Sequence, residues 1–134
     1  MILSQVKTAV AALTEEEKKN LVILAITLDP ERDTVSVLKK MAVAQGVSTP
    51  FFHFLTGDPK RVNHVLDLYN FARTRDPKTG VINHANLFLL FDQKGYLSYR
   101  FSLGKQQTDW LIQGLKVLIH EIMNNRKKEE NKTL

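Results

Sequence analysis

Apolar residues recur along this chain in two rhythms. Leu3, Val6, Val10 and Leu13 stand three and four positions apart and predict a helix with one apolar stripe, leaving Gln5, Lys7 and Thr8 off it. Thr14 with Glu17 fits a capping box and predicts a second, short helical turn. Leu21 to Leu28 then carries apolar, mostly branched residues on both alternating faces, which predicts a buried strand. Asp29-Pro30 ends it. Asp33 or Thr34 can cap the next helix, whose buried side would be Val35, Leu38, Met41 and Ala42, with Gly46 as its stop. Phe52 to Leu55 reads as a second strand. Gly57-Asp58-Pro59 supplies a turn, an N-cap and a first-turn proline, ahead of a helix burying Val62, Val65, Leu66 and Tyr69.

The second half opens on a polar stretch. Arg73 to Gly80 (RTRDPKTG) reads as a loop broken by Pro77 and Gly80. Asn86 to Phe91 predicts a third strand, again apolar on both faces. Asp92-Gln93-Lys94-Gly95 reads as a hairpin turn, and Tyr96 to Phe101 as the returning fourth strand. Leu111, Leu115, Leu118 and Ile122 mark a long amphipathic C-terminal helix. The order is helix, strand, helix, strand, helix, strand, strand, helix. That is an α/β pattern, and it matches the second part of a thioredoxin-like domain. A complete domain of that kind opens with a strand that feeds the first helix, and this chain starts inside that helix. The expected organisation is an incomplete thioredoxin-like domain over residues 1–124 and a polar tail over 125–134.

Composition narrows the picture in a few places. The chain has 134 residues, 43% hydrophobic and 25% charged, which suits one globular domain. Lys plus Arg is 19 against 14 acidic residues, a net charge of +5. A basic excess can point to nucleic acid or anionic membrane, but the densest run, Arg126-Lys127-Lys128, meets Glu129 and Glu130 at once. A solvated, frayed end is the expectation there, and no nucleic-acid partner is expected. No apolar stretch approaches the roughly 18 residues of a membrane helix. Met1 leads into an amphipathic segment rather than a basic start followed by an apolar block, so no targeting segment is read in this chain. The cysteine count is zero, which excludes disulfides, thiolate metal sites and cysteine nucleophiles within it.

Four short motifs carry a resemblance. Leu28-Asp29-Pro30-Glu31-Arg32-Asp33-Thr34 follows the first strand. Phe54-Leu55-Thr56-Gly57-Asp58-Pro59 leads into a helix. Asn83-His84-Ala85 precedes the third strand, and Leu90-Phe91-Asp92-Gln93-Lys94-Gly95 forms the hairpin. In this order and spacing they resemble the Sco/SenC family of thioredoxin-like copper proteins, over nearly the whole chain. The resemblance implies copper delivery to, or maturation of, cytochrome c oxidase. The implied partner is the oxidase subunit with the dinuclear copper centre. The implied place is the periplasm, or a membrane anchor facing it, in the service of electron transport.

In that family copper is held by a Cys-x-x-x-Cys pair and one distant histidine. Soft thiolates favour Cu(I), and imidazole serves both oxidation states. Met1-Ile2-Leu3 resembles the residues just after the second family cysteine, so the pair would lie upstream of Met1. His84 is the family ligand that carries over as a metal-binding residue. One imidazole is too few ligands for a specific site. Copper is therefore expected in a full-length parent and not held tightly by this chain. Without thiolates, His84 would be a loop residue hydrogen-bonded to a backbone carbonyl. Family members usually have an aspartate where this chain has Asn83, which can supply only a neutral hydrogen bond.

No catalytic residue is assigned, and an enzyme is not expected. His53, His64 and His120 read as incidental, and Met1, Met41 and Met123 as core fillers. Asp29, Glu31, Arg32 and Asp33 read as structural, with Asp33 as a cap, Arg32 as an ion-pair partner and Pro30 as the turn. A partner-docking role for them is the alternative. Three readings of the missing cysteines stand open. The chain is a piece of a longer Sco-like protein, or a cysteine-free binding module on the same scaffold, or a piece of a parent that works mainly as a thiol–disulfide oxidoreductase. Self-association of this chain alone through exposed strand edges is expected.

Overall fold

The predicted alternation is present, with one hairpin added. The computed structural model describes residues 2–47 and 50–134. In chain order the elements are α1 (Ile2–Ala11), α2 (Glu15–Lys18), β1 (Ile23–Ile26), α3 (Val35–Ala44), β2 (Phe52–Leu55), α4 (Pro59–Leu68), β3 (Arg73–Arg75), β4 (Ile82–His84), β5 (Phe88–Phe91), β6 (Leu97–Phe101) and α5 (Lys105–Lys132). Met1 lies outside the described residues. The strands form three two-stranded ladders: β1 with β2, β3 with β4, and β5 with β6. The chain divides into two packed units, residues up to Leu21 with Asn86–Leu134, and Val22–Ala85.

In the first unit, β5 and β6 pair antiparallel, with Phe88 opposite Phe101 and Leu90 opposite Tyr99. The turn is built by Asp92, whose Oδ1 accepts from the amides of Lys94 (2.9 Å) and Tyr96 (3.0 Å), and Gly95 takes φ 86°. Ala9, Leu90, Phe101 and Leu111 form the core, with Phe88, Ile112, Leu115 and Leu118 packed on it. Gly114 of α5 lets the helix lie close to the ladder. A Cβ there would stand 3.3 Å from Leu90 Cδ2 and 3.4 Å from the rings of Phe101 and Tyr99.

Helix α1 turns a different face inward from the one its apolar stripe predicts. Gln5 and Ala9 are buried and Leu3, Val6 and Val10 are half-buried, while Leu13, just past the helix, is buried as the stripe predicts. Gln5 is accommodated because both ends of its amide are bonded. Its Nε2 donates to Ser102 O (3.0 Å), and its Oε1 accepts from the Gly104 amide (3.0 Å). A satisfied polar group can be buried at little cost.

Thr14 and Glu17 form the expected capping box on α2. Glu17 also does what the sequence did not signal. Its buried carboxylate meets Lys116 Nζ (3.3 Å) and His120 Nε2 (3.0 Å) of α5. His120 is therefore the contact of a buried acid rather than an incidental surface group. The Thr14 backbone amide, helped by Lys116 and His120, holds the Glu17 carboxyl down to about 2. A carboxylate whose folded pKa is depressed contributes stability above its unfolded pKa and loses it on acidification. Stability should therefore fall between about pH 4.5 and pH 2. Urea titrations across that range should show the slope in the native chain and a flatter one in Glu17→Gln. Equal slopes would remove Glu17 from the acid response. Thr14→Ala should cost about 1 kcal/mol at neutral pH through loss of the cap.

Helix α5 continues through the basic run to Lys132 instead of fraying, with residues 124–132 exposed. Arg126 Nη1 donates to Asn20 Oδ1 (2.8 Å), which ties this part of the helix to the segment after α2.

In the second unit β1 and β2 run parallel, with Ile23 opposite Phe52 and Ile26 opposite Leu55. Thr34, not Asp33, caps α3, accepting from the Val37 amide (3.3 Å). Leu38 is buried, Met41 and Ala42 are half-buried, and Val35 lies exposed at the helix start. Gly46 (φ 66°) ends the helix: its amide bonds Val43 O and the Val47 amide bonds Ala42 O, both at 3.0 Å. This is the double bond of a Schellman stop. Asp58 caps α4 through the Lys60 (3.0 Å) and Arg61 (3.2 Å) amides, with Pro59 next and Val62 and Leu66 buried.

The strand predicted over Leu21–Leu28 shortens to Ile23–Ile26 and is not buried on both faces. Val22 is 66% exposed and Leu24 57% exposed, while Ile23 and Ala25 are half-buried. No helix of the described residues is long and apolar enough to cross a membrane.

Candidate metal-ligand hairpin

The segment read as a loop, Arg73–Gly80, is in fact the first arm and turn of a hairpin. Arg73, Thr74 and Arg75 pair antiparallel with His84, Asn83 and Ile82. Three residues of the type Arg-Thr-Arg give almost no apolar alternation, so pattern reading passes over them. The turn itself has a clear local cause. Asp76 Oδ1 accepts from the amides of Lys78 (2.7 Å) and Thr79 (3.1 Å). The Gly80 amide bonds Asp76 O (2.8 Å), and Gly80 sits at φ 69°. The Thr79 and Lys78 amides hold the Asp76 carboxyl below its ordinary range.

His84 ends the second arm, on a strand rather than in a loop. It is exposed, and its ring stacks on Phe71 at 6.1 Å between centroids and 24° between planes. Its Nδ1 lies 2.7 Å from Ala85 O. A carbonyl oxygen can only accept, so Nδ1 carries the proton and Nε2 keeps its lone pair in the neutral ring. This is the arrangement in which a metal-binding histidine has its tautomer set by a backbone carbonyl. Beside it, Asn83 is exposed and no side-chain bond joins it to His84.

Two arginines fasten the hairpin to the rest of its unit. Arg73 donates to Phe71 O (3.0 Å) and to Asn63 Oδ1 (2.9 Å), and pairs with Asp67 (3.0 Å), both acceptors on α4. Arg75 donates to Gly80 O (3.0 Å) and to Asp29 Oδ1 (3.0 Å). Asp29 is fixed from behind: its amide donates to Thr27 Oγ1 (3.0 Å), and its carbonyl accepts from the amides of Arg32 (3.1 Å) and Asp33 (2.9 Å). The Thr27 hydroxyl in turn bonds Asp33 Oδ2, so Asp33 braces this turn while Thr34 caps the helix. Arg32 pairs with Asp29 at 3.7 Å, as expected, and its guanidinium lies where a Cβ on Gly80 would fall. A cleft of about 250 Å³ opens between this turn, α4 and β3, lined by Leu28, Pro30, Asn63, Arg73 and Arg75 among others.

Among the described residues no group of three His, Cys, Asp or Glu could hold a metal ion. His53 is exposed on β2 and His64 on α4. The donor set is one imidazole and no thiolate, so these residues do not make up a copper site by themselves.

Comparison with known proteins agrees on the fold. The copper-bound ScoI of Bradyrhizobium japonicum is 23% identical and superposes with a TM-score of 0.65, over 85% of this chain and 71% of that one. The copper-bound ScoI of Arabidopsis thaliana is 21% identical, with a TM-score of 0.68 over 91% of this chain and 73% of that one. A SCO1/SenC family lipoprotein of Bacillus anthracis is 20% identical, with a TM-score of 0.72 over 87% and 70%. Among curated proteins there is no significant match. The thioredoxin-like α/β fold expected from the element order is thus the fold of these structures. The SCO1/SenC family model matches residues 1–120, and the chain belongs to that family.

Proposed function

We propose that this chain is the scaffold and histidine-bearing part of a Sco-type copper-handling protein. Copper is its cargo. Its destination is the dinuclear copper centre of cytochrome c oxidase. The observation that carries this reading is His84, held on Phe71 with Nδ1 on a backbone carbonyl, in a chain of the SCO1/SenC family. Copper in the Bradyrhizobium and Arabidopsis structures supports it. The lipoprotein from Bacillus anthracis supports an extracytoplasmic, membrane-anchored setting. The thiolates of the site come from outside the residues present here, since the chain has no cysteine. The role is delivery, with no catalytic residue of its own.

The test is an anaerobic Cu(I) titration. This chain should take up copper weakly and without fixed stoichiometry, and should show no thiol redox activity. With a Cys-x-x-x-Cys segment joined ahead of Met1 it should bind one copper per chain. His84→Ala in that protein should weaken binding at least tenfold, about 1.4 kcal/mol. Unchanged affinity and copper spectrum in His84→Ala would overturn the ligand assignment.

The absence of thiols favours a second reading, a cysteine-free binding module. That reading gains if the cysteine-joined protein still binds no copper.

A further inference from the structure

Asp29, in the Asp-Pro-Glu-Arg-Asp-Thr turn after β1, and Arg75, in the hairpin that carries His84, stand 46 positions apart, yet the Asp29 carboxylate joins the two segments. Asp29 receives Arg75 of β3 on Oδ1 (3.0 Å) and Arg32 of its own turn on Oδ2 (3.7 Å). We propose that Asp29 and Arg75 are positioning residues that hold the β3–β4 hairpin so that His84 keeps its Nδ1–H tautomer and presents Nε2. This rests on the reading of His84 as a metal ligand and adds what sets its geometry.

Three observations carry it. First, Asp29 is a rigid anchor. Its backbone is held on both sides by Thr27, Arg32 and Asp33, and its side chain is only 18% exposed. Second, Arg75 reaches two places at once. One guanidinium nitrogen holds Gly80 O in the hairpin turn and the other holds Asp29, so the turn and the anchor share one planar, charged donor. The bare Gly80 backbone leaves room for Arg32 to lie against the same turn. Third, nothing else in the hairpin is built to stand alone. β3 and β4 have three residues each, and only Ile82 among them is apolar. A two-stranded hairpin of that length is not stable without anchors. Arg73 anchors the end beside His84 to α4, and Arg75 anchors the turn end to Asp29. With the turn end loose, the short ladder frays, and with it the Ala85–Ala72 backbone bond (2.9 Å) next to His84.

The experiment reads the His84 ring in the full chain by two-dimensional proton–nitrogen spectra, with His53 and His64 as internal references. In the native chain His84 should show a single Nδ1–H tautomer. In Asp29→Ala and in Arg75→Gln that population should fall at least twofold toward the Nε2–H form that free histidine favours. Exchange of the Ala85 amide should quicken at least tenfold, while the β1 amides Ile23 and Ala25 hold. Asp29→Glu, which keeps the charge, should restore most of the native tautomer. A merely structural loss would move all the histidines and the β1 amides together, and would not respond to glutamate. An unchanged His84 ring in both Asp29→Ala and Arg75→Gln overturns the proposal. A separate arm adds Cu(II) alone at a tenth of the protein concentration. Broadening concentrated at His84 supports the ligand reading. Broadening at His53 and His64 that leaves His84 untouched would overturn that reading, and the tautomer arm would still decide the role of Asp29.

Discussion

Phe101→Ala should destabilise the chain by about 3–5 kcal/mol, enough to leave it largely unfolded at 37 °C. Phe101 is one of four buried residues at the centre of the first unit and lies opposite Phe88 across the β5–β6 ladder. Its ring stacks on Tyr99 at 6.0 Å and touches the space over Gly114, so α5 and the ladder meet at this side chain. Truncation leaves a cavity that cannot collapse without moving a helix of 28 residues. Domains of ordinary size hold only about 5–15 kcal/mol in total. Urea unfolding monitored by the single tryptophan, Trp110 of α5, measures the loss. Tyr96→Ala, at a site 69% exposed, is the control and should stay within about 0.5 kcal/mol. A cost below 1 kcal/mol at Phe101 would place the core elsewhere.

The open edge of β1 should dominate the behaviour of the chain in solution. The amides of Ile23 and Thr27 bond Phe51 O (2.7 Å) and Leu55 O (3.0 Å), so the odd positions of β1 face β2. By alternation Val22, Leu24 and Ile26 present their N–H and C=O groups to the other side, where no strand of the described residues pairs. Those same residues carry exposed apolar side chains, and no charge lies between Leu21 and Leu28 to deter pairing. Several unmade ladder bonds, each about 1 kcal/mol net, are a large share of the stability of a domain. The chain alone should therefore melt below about 60 °C, within the mesophile range, and should self-associate as concentration rises. Sedimentation velocity from about 1 to 100 μM, the range in which exposed edges drive association, measures this. Leu24→Lys should shift the distribution toward monomer by placing a charge on the edge. A monomer at every concentration with a cooperative transition above about 60 °C would show the edge to be closed.

What could be read without coordinates was local. The Thr14–Glu17 capping box, the Asp58-Pro59 helix start, the Gly46 stop and the Asp92–Gly95 turn all depend on residues within a few positions of one another. Each therefore leaves a sequence signal and is found where it is expected. Family membership was legible in four short motifs that sit at the ends of elements along the chain, and the SCO1/SenC family model matches residues 1–120. His84 was singled out by motif alone, and the sequence could place it only before the third strand.

Tertiary structure decided what depends on partners far along the chain. Gln5 turns inward because Ser102 and Gly104, nearly a hundred residues on, satisfy its amide, and no helical period could announce that. His120 acquires a role only because Glu17 is buried against α5. The β3–β4 hairpin forms from polar residues because Asn63, Asp67 and Asp29 hold its arginines, an energy that is electrostatic and non-local rather than written in apolar alternation. β1 is apolar on both faces by sequence and covered on only one in the fold, because burial is a property of what packs against a strand and not of the strand itself.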